Sequence, residues 1–270
     1  MKHFASIVWA EHPLAIEYAW LGHAGAQAPL VVFLHEGLGS LAMWRDFPEA
    51  LCHAAGVEGL VYSRPGYGFS SPYPSGILWG ADFMHRQAWE VLPLLLEELA
   101  VDTSARPLLL FGHSDGATIA LLYAARFSGH LRGVILLAPH ICVEERSIEG
   151  IQKARHAFVH KGLRERLGRY HADPDAVFWA WNRAWLNPAF RNWSIENELA
   201  AIRCRLLAVQ GLDDAYGTLE QIRGIARRVA GTRLLELEDC GHQPQREQRE
   251  RLITASVEFI RDCVGSGAIA

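Results

Sequence analysis

The sequence lacks a long apolar run. A helix needs roughly 20 consecutive apolar residues to cross a bilayer, and no hydrophobic stretch of this 270-residue chain approaches that length. The first residues, Met1–Ser6, also lack the charged and then apolar pattern of a secretory leader. We therefore expect a cytoplasmic protein with no membrane partner.

An excess of positive charge is absent as well, since 26 Lys and Arg residues stand against 30 Asp and Glu residues. A nucleic-acid-binding protein needs a basic face, so we expect no nucleic-acid partner. The five cysteines form no close pair, which argues against a C-x-x-C metal site or a disulfide framework. The 13 histidines include no H-E-x-x-H motif, and we expect no metal site.

Short apolar runs that alternate with helical patterns indicate the fold class. Six such runs lie at 29–34, 59–62, 107–111, 133–137, 205–209 and 233–237. They are continuous, as in strands that are covered by helices on both faces. Helical periodicity is visible at 81–99, 114–127, 218–229 and 246–263. The pattern predicts an α/β fold with a mostly parallel, doubly wound sheet, and the segments 6–9 and 15–18 predict an antiparallel hairpin at one edge.

The stretch 142–204 breaks this rhythm, because it contains no strand-like run and many charged and aromatic residues. Roughly 60 residues are too many for a loop in a compact domain. We therefore predict an inserted helical module at 142–204, after the sixth strand. It divides the core into a first part at 1–141 and a second part at 205–270.

A candidate nucleophile follows one of the apolar runs. The residues Gly112-His113-Ser114-Asp115-Gly116 have the pattern small-x-Ser-x-small between a strand and a helix. A sharp turn at this point lifts a serine hydroxyl above the sheet, and small residues two positions before and after it relieve crowding. The helix N-terminus behind the turn favours negative charge. The pattern predicts Ser114 as the nucleophile.

A serine needs a base to remove its proton, and in a strand–turn–helix site of this kind an acid and a histidine follow in the chain order Ser, Asp, His. Asp213 and Asp214 come shortly after Gly211, behind one late strand, and Gly241-His242 follows the last strand. The pattern predicts His242 as the base and one of the two aspartates as the acid that orients it.

With these motifs the sequence resembles the α/β-hydrolase superfamily along nearly its whole length. The resemblance is to the lidded bacterial hydrolases that include the meta-cleavage-product and biphenyl-hydrolase-like enzymes. His35–Ser40 looks like the family's His-Gly loop after the third strand, and Arg64–Ser70 looks like its turn after the fourth. The resemblance implies that 142–204 is a helical lid and that no cofactor is needed. The family usually places the acid three residues after the glycine, which selects Asp214.

The resemblance also implies an oxyanion hole, in which two backbone N–H groups bind the developing negative oxygen. One N–H belongs to Asp115, and we assign the other to Gly37, with Leu38 as the alternative. Glu36 departs from the family pattern, which most often has glycine there. A carboxylate that pointed inward would repel the oxygen, so we expect the Glu36 side chain to point sideways, to Arg64 or a histidine. A salt bridge that shapes the loop and a direct contact with substrate are the two alternatives for its role.

The acidic side chain of Asp115 has two interpretations. It caps or pairs with the start of the following helix, where the helix dipole stabilises negative charge, or it faces the substrate and favours a cationic group. The second interpretation comes from the resemblance, because the Ser-Asp-Gly step is similar to that of biphenyl-hydrolase-like enzymes that act on amino-acid esters.

Aromatic residues are concentrated in the predicted insertion. Within 16 residues it contains Phe178, Trp179, Trp181, Trp185, Phe190 and Trp193. Phe178, Trp181 and Trp185 share one helical face, which docks the module onto the core or contributes to a substrate pocket. We select Trp181 and Trp185 as candidate substrate-binding residues, in a pocket for an acyl or aryl group of moderate size.

The sequence therefore predicts a serine esterase that hydrolyses an ester, a thioester or a lactone, with water as the second substrate. One alternative is hydrolysis of a carbon–carbon bond in a vinylogous diketone. The other belongs to a different class, a ligand-binding receptor without catalysis, and the complete set of three catalytic residues argues against it. A homodimer is left open.

Overall fold

The computed structural model of the chain describes residues 3–22, 28–74, 79–127, 129 and 131–265. These residues form one sheet of eight strands. The strands are β1 (His3–Trp9), β2 (His12–Leu21), β3 (Leu30–Leu34), β4 (Glu58–Tyr62), β5 (Leu108–His113), β6 (Leu131–Leu137), β7 (Arg205–Gly211) and β8 (Arg233–Leu237).

The strands lie side by side in the order β1-β2-β4-β3-β5-β6-β7-β8. β1 and β2 form an antiparallel hairpin at one edge, β2 is antiparallel to β4, and the remaining pairs are parallel. The predicted mostly parallel sheet with an edge hairpin is confirmed. Because the parallel strands share one direction, the loops after β3, β5, β6, β7 and β8 converge at the carboxyl edge, where α/β folds bind ligands.

Ten α-helices are found in the described residues. They are α1 (Phe47–Ala55), α2 (Phe83–Arg86), α3 (Leu92–Glu98), α4 (Asp115–Arg126), α5 (Glu145–His160), α6 (Leu163–Leu167), α7 (Pro174–Trp185), α8 (Glu220–Arg228), α9 (Pro244–Glu247) and α10 (Arg249–Val264). Within the described part of the chain, none of them has the length and apolar character that a membrane crossing requires.

The helix predicted at 81–99 is less regular than its periodicity indicates. α2 continues through a π-helical turn, Gln87–Val91, into α3. Pro93 in the first turn of α3 has no N–H to donate to the carbonyl group four residues earlier, and this accounts for the widened turn before it.

Helices cover both faces of the sheet, so every residue of β3 and β5 is buried. α1 and α10 pack together on one face, and α3 and α4 pack on the other. The continuous apolar runs of the sequence therefore correspond to strands between two helical layers.

The chain between β6 and β7 forms a helical segment, residues 142–204, which contains α5, α6 and α7. Two short 3-10 helices, Pro188–Phe190 and Glu198–Ala201, complete it. The backbones of Cys142 and Ser194 pair in an isolated antiparallel β-bridge, which brings distant parts of the segment together. Side chains from α5, α6 and α7 line a cavity that also contains residues from the carboxyl edge of the sheet. The segment therefore lies over the edge where the predicted site residues converge.

Candidate active site

Ser114 lies in a strained turn between β5 and α4. Its φ of 54° and ψ of −119° are unusual for a residue with a side chain. A Cβ on Gly112 would collide with the backbone of Gly116 and Ala117, and a Cβ on Gly116 would collide with the backbone of Leu34. Both positions exclude any side chain, which is the physical reason for the small-x-Ser-x-small pattern.

Three side chains from separate loops meet at this turn. His242, which follows β8, has its Nε2 3.0 Å from Oγ of Ser114. Its Nδ1 lies 2.9 Å and 2.8 Å from the two carboxylate oxygens of Asp214, which follows β7. Because an ionised carboxylate only accepts hydrogen bonds, Nδ1 donates the proton and Nε2 is left to accept from the serine hydroxyl. This is the arrangement that deprotonates a serine during nucleophilic attack.

The carboxylate of Asp214 is buried and held by further donors. Gln210 Nε2 donates to Oδ2 at 2.7 Å, and the Tyr216 N–H donates to Oδ1 at 2.8 Å. Burial opposes ionisation, but the hydrogen bond and charge of His242 hold the pKa of Asp214 below its usual value. Asp213 is exposed, so the structure joins the second aspartate of the pair to His242.

The peptide between Glu36 and Gly37 has a fixed orientation. The Glu36 carbonyl oxygen accepts hydrogen bonds from His35 Nδ1 at 2.8 Å, Arg64 Nη2 at 2.9 Å and the Gly39 N–H at 3.0 Å. In a trans peptide the N–H points opposite to the carbonyl, so the Gly37 N–H points away from these donors. The direction of this N–H is therefore set before any ligand binds.

The two residues predicted to form the oxyanion hole lie close together. Gly37 and Asp115 both line the cavity that contains Ser114, and a Cβ on Gly37 would lie 3.0 Å from Oδ2 of Asp115. Asp115 is the first residue of α4, where an N–H has no acceptor within the helix. Leu38, the alternative donor, lines the same cavity.

The Glu36 side chain points sideways to a histidine. Its Oε2 lies 3.5 Å from Nδ1 of His113, whereas Arg64, the other expected partner, binds the Glu36 carbonyl. Burial acts to raise the pKa of Glu36, but the hydrogen bond and charge of His113 lower it to about 2. Nε2 of His113 is 2.7 Å from the carbonyl oxygen of His242. The Glu36–His113 pair thus supports the backbone of the proposed base.

The Asp115 side chain does not cap or pair with the start of α4, so the first of its two interpretations is wrong. Neither a capping hydrogen bond at the start of α4 nor an ion pair of Asp115 is present among the described residues. Oδ1 accepts a hydrogen bond from Nε1 of Trp185 at 3.2 Å, and Oδ2 is buried with no hydrogen-bond partner in the described part of the chain. Burial raises the pKa of Asp115 to about 6, against the lowering effect of the Arg64 charge.

The cavity above Ser114 has a volume of about 420 Å³. Trp181 and Trp185 line it, and α5 and α6 supply apolar walls that include Ile151 and Leu167. A cavity of this size and character is typical of a small-molecule site.

The other four aromatic residues of the predicted cluster do not line this cavity in the described structure. Phe178 stacks on Phe158 with 3.8 Å between ring centroids, and Phe190 stacks on Trp193 at 4.9 Å. Trp179 meets the edge of Phe178. The cluster therefore divides into residues that hold the helical segment together and two that face the cavity.

His140 is a cavity residue that the sequence reasoning missed. Its ring centroid lies 5.0 Å from that of Trp185 and 6.1 Å from that of His242. Burial lowers the pKa of His140 to about 4, so it is neutral near pH 7. It follows the apolar run 133–137, and its position after a parallel strand was the signal that could have found it.

His171 is a second missed residue, and it connects the helical segment to the core. Its Nδ1 accepts a hydrogen bond from the Gly68 N–H at 2.9 Å, and its Nε2 donates to the Leu38 carbonyl at 3.0 Å. Burial lowers the pKa of His171, and the neutral ring is the form that can accept the hydrogen bond from Gly68. It stands in no motif, so nothing in the sequence pointed to it.

Solved structures with a similar fold cover nearly the whole chain. An esterase from Thermogutta terrifontis has a TM-score of 0.74 at 20% identity and covers 98% of this chain and 100% of its own. An enol-lactonase from Burkholderia xenovorans has a TM-score of 0.72 at 21% identity, over 94% and 99% of the two chains. A meta-cleavage product hydrolase from Pseudomonas fluorescens has a TM-score of 0.69 at 18% identity, over 95% and 97%.

The sequence itself matches a model of the family described as alpha/beta hydrolase, over residues 31–255. That range begins in β3 and ends within α10, so it includes all the predicted site residues. No curated protein matches the sequence significantly.

Proposed function

Because the chain belongs to the alpha/beta hydrolase family, we propose that it is a serine hydrolase that cleaves an ester, a thioester or a lactone through an acyl-enzyme. The observation that carries this proposal is the chain of contacts from Ser114 Oγ to His242 Nε2, at 3.0 Å, and from His242 Nδ1 to Asp214, at 2.8 Å. A hydroxyl, a neutral imidazole and a buried carboxylate in this order activate serine towards carbonyl carbon.

The proposed reaction has two halves. In the first, Ser114 Oγ forms a bond to the carbonyl carbon while its proton passes to Nε2 of His242, and the carbonyl oxygen becomes negative. The N–H groups of Gly37 and Asp115 bind that oxygen. His242 then gives the proton to the leaving group, and the acyl-enzyme remains. In the second half water attacks the acyl carbon while His242 accepts its proton, and His242 then returns that proton to Ser114 Oγ as the bond to the acyl group breaks and the acid is released.

The helical segment 142–204 acts in this proposal as a lid over the site. Trp181 and Trp185 bind the acyl or aryl part of the substrate through the apolar cavity that they line. The chemistry requires no metal or organic cofactor, because the developing charges are met by His242, Asp214 and backbone N–H groups.

Labelling with a fluorophosphonate tests the proposal, since only an activated serine is modified. Ser147 gives a matched control, because it lines the same cavity but its Oγ donates to the Tyr216 carbonyl at 2.6 Å. The wild type and Ser147→Ala should be labelled on the peptide that contains Ser114, and Ser114→Ala should not be labelled. Ser114→Ala should also lose ester turnover by on the order of 10⁴-fold or more.

A panel of esters, thioesters, lactones and a vinylogous diketone then defines the reaction. Label on a different residue, or a normal rate for Ser114→Ala, would contradict the mechanism. Turnover of the diketone alone would support carbon–carbon hydrolysis, and absence of both labelling and turnover in the wild type would support the receptor.

A further inference from the structure

We propose that the indole N–H of Trp181 is a third donor to the oxyanion, supplied by the helical segment and not by the core. This inference rests on the proposed function. It assigns to Trp181 a role in the chemical step, in addition to that of a cavity wall.

The position of the Trp181 indole against Gly37 is the first argument. A Cβ built on Gly37 would lie 2.5 Å from Cδ1 of Trp181 and closer still to its Nε1. The nitrogen edge of the ring therefore stands against the residue whose N–H is assigned to the oxyanion hole. Trp181 and Gly37 line the same cavity as Ser114.

The hydrogen bonding of the two cavity tryptophans is the second argument. Nε1 of Trp185 donates to Asp115 at 3.2 Å, so that N–H is used within the protein. Nε1 of Trp181 donates to no described residue, and it is not one of the buried polar atoms, although the residue as a whole is only 6% exposed. An indole N–H only donates, so this group is available to an acceptor that enters the cavity. An oxygen of the substrate fills that place.

The rigidity of the ring is the third argument, because a donor aids catalysis most when it is held in position beforehand. The ring of Trp181 packs against Phe178, 5.9 Å away, and Phe178 stacks on Phe158 at 3.8 Å. The helix itself is fixed at its start, where the Asp173 side chain accepts a hydrogen bond from the Ala176 N–H at 2.9 Å.

A donor aimed at the oxyanion acts mainly in the transition state, when the oxygen carries its charge. Removing the N–H should therefore lower kcat and leave KM nearly unchanged. Loss of one backbone or side-chain donor from an oxyanion hole costs about 10²–10³-fold in kcat, and we expect about 10- to 100-fold here because two other donors remain.

Trp181→Phe is the test, since it removes the N–H and keeps an aromatic ring. Trp179→Phe is the matched control on the same helix, because Trp179 does not line the cavity, and it should keep the wild-type kcat. Each variant is measured with an ester and with the corresponding thionoester, in which sulfur, a weak acceptor, replaces the carbonyl oxygen. The Trp181→Phe penalty should be about 10- to 100-fold for the ester and several-fold smaller for the thionoester.

The ratio of the ester rate to the thionoester rate does not depend on the fraction of folded enzyme. A variant that is partly unfolded therefore still tests the proposal. An equal penalty on both substrates, or a rise in KM with kcat unchanged, would show that Trp181 is only a wall of the cavity. If the wild type is labelled at Ser114 and Trp181→Phe turns over normally, this inference fails while the proposed function stands. If the wild type shows neither labelling nor turnover, the proposed function itself fails.

Discussion

At the scale of single residues, the surroundings of two adjacent carboxylates distinguish them. Asp214 is buried and bonded to His242, Gln210 and the Tyr216 N–H, whereas Asp213 faces solvent. An acid that orients a histidine must be a fixed acceptor for Nδ1–H, and only the buried carboxylate meets that requirement.

Asparagine should therefore lower activity far more at position 214 than at position 213. Asp214→Asn keeps the shape but introduces an amide that can donate to Nδ1, which favours the wrong imidazole tautomer, and kcat should fall by on the order of 10⁴-fold. Asp213→Asn should remain within a few fold of the wild type. Steady-state hydrolysis of one ester by both variants measures this ranking, and the reverse ranking would move the acid to Asp213.

Asp115 presents an ionisable carboxylate oxygen with no internal partner in the described structure. An ammonium about 4 Å away would gain at most ~4 kcal/mol at an effective dielectric near 20. If solvent leaves about a third of that, the preference for an α-amino ester over its uncharged analogue is about tenfold. The pKa of Asp115 is about 6, so the charge, and with it the preference, is present above pH 6 and lost below it.

We expect this tenfold ratio of kcat/KM in the wild type at pH 7.5, and its loss at pH 5. Asp115→Asn should remove the preference at both pH values, because it keeps an acceptor for Trp185 but has no charge. An unchanged ratio in Asp115→Asn would show that the carboxylate does not face the charged group of the substrate.

The sequence predicts residues that are attached to strand ends better than residues that meet across the fold. Ser114, Asp214 and His242 each follow a recognisable apolar run, so their convergence could be predicted from the direction of parallel strands. The partner of Asp115 could not, because Trp185 lies 70 residues further along the chain. No local pattern encodes a contact between two such distant side chains.

At the scale of elements, the sequence predicts the helices of the segment 142–204 but not the contacts that their side chains make. Its composition predicts helices, and α5, α6 and α7 are found there. Periodicity places Phe178, Trp181 and Trp185 on one face, but it does not say which of them stacks inside the segment and which faces a cavity. That division depends on α5, whose Phe158 stacks on Phe178, and on α4, whose Asp115 accepts a hydrogen bond from Trp185.

One of the contacts that dock this segment onto the core is made by a buried histidine. His171 accepts from the Gly68 N–H and donates to the Leu38 carbonyl, so it joins the segment to the loops after β4 and β3. His171→Leu leaves both backbone groups without a partner, and each buried unsatisfied group costs about 1–3 kcal/mol. We expect the free energy of unfolding to fall by at least about 2 kcal/mol. Ester turnover should also fall, because the Leu38 carbonyl that His171 holds is next to Gly37, the proposed oxyanion donor.

Urea unfolding, followed by tryptophan fluorescence, measures the first effect, and ester kinetics at low denaturant measures the second. His160→Leu is the control, since His160 is exposed at the end of α5 and should change neither quantity. A His171→Leu protein as stable as the control would show that the two hydrogen bonds do not hold the segment in place.

At the scale of the whole molecule, three buried histidines make stability depend on pH. Burial lowers the pKa values of His35, His140 and His171, for His35 with a further effect of the Arg64 charge. In the unfolded chain these rings take up protons near pH 6.5. As pH falls through that value the unfolded state binds more protons than the folded one, so the free energy of unfolding falls.

Asp115 acts in the opposite direction, since its raised pKa of about 6 lets the folded state hold a proton that the unfolded chain releases. Its effect is confined to the range between about pH 6 and the unfolded value near 3.9. In that range the effect of Asp115 on the free energy of unfolding offsets the effect of one buried histidine. The other two histidines still lower the free energy of unfolding as the solution becomes more acidic.

We therefore expect the free energy of unfolding to fall between pH 7.5 and pH 5.5, by at most about 1.4 kcal/mol per pH unit below 6.5 for each histidine that stays neutral in the folded state. Urea midpoints at several pH values measure this dependence of stability on pH.

His140→Asn should make the slope shallower by about the contribution of one histidine, because the ring that resists protonation in the folded state is gone. His53, which is exposed, gives the control, and His53→Asn should leave the slope as it is. A wild-type midpoint that stays constant down to pH 5.5 would mean that the buried rings take up protons without loss of the fold.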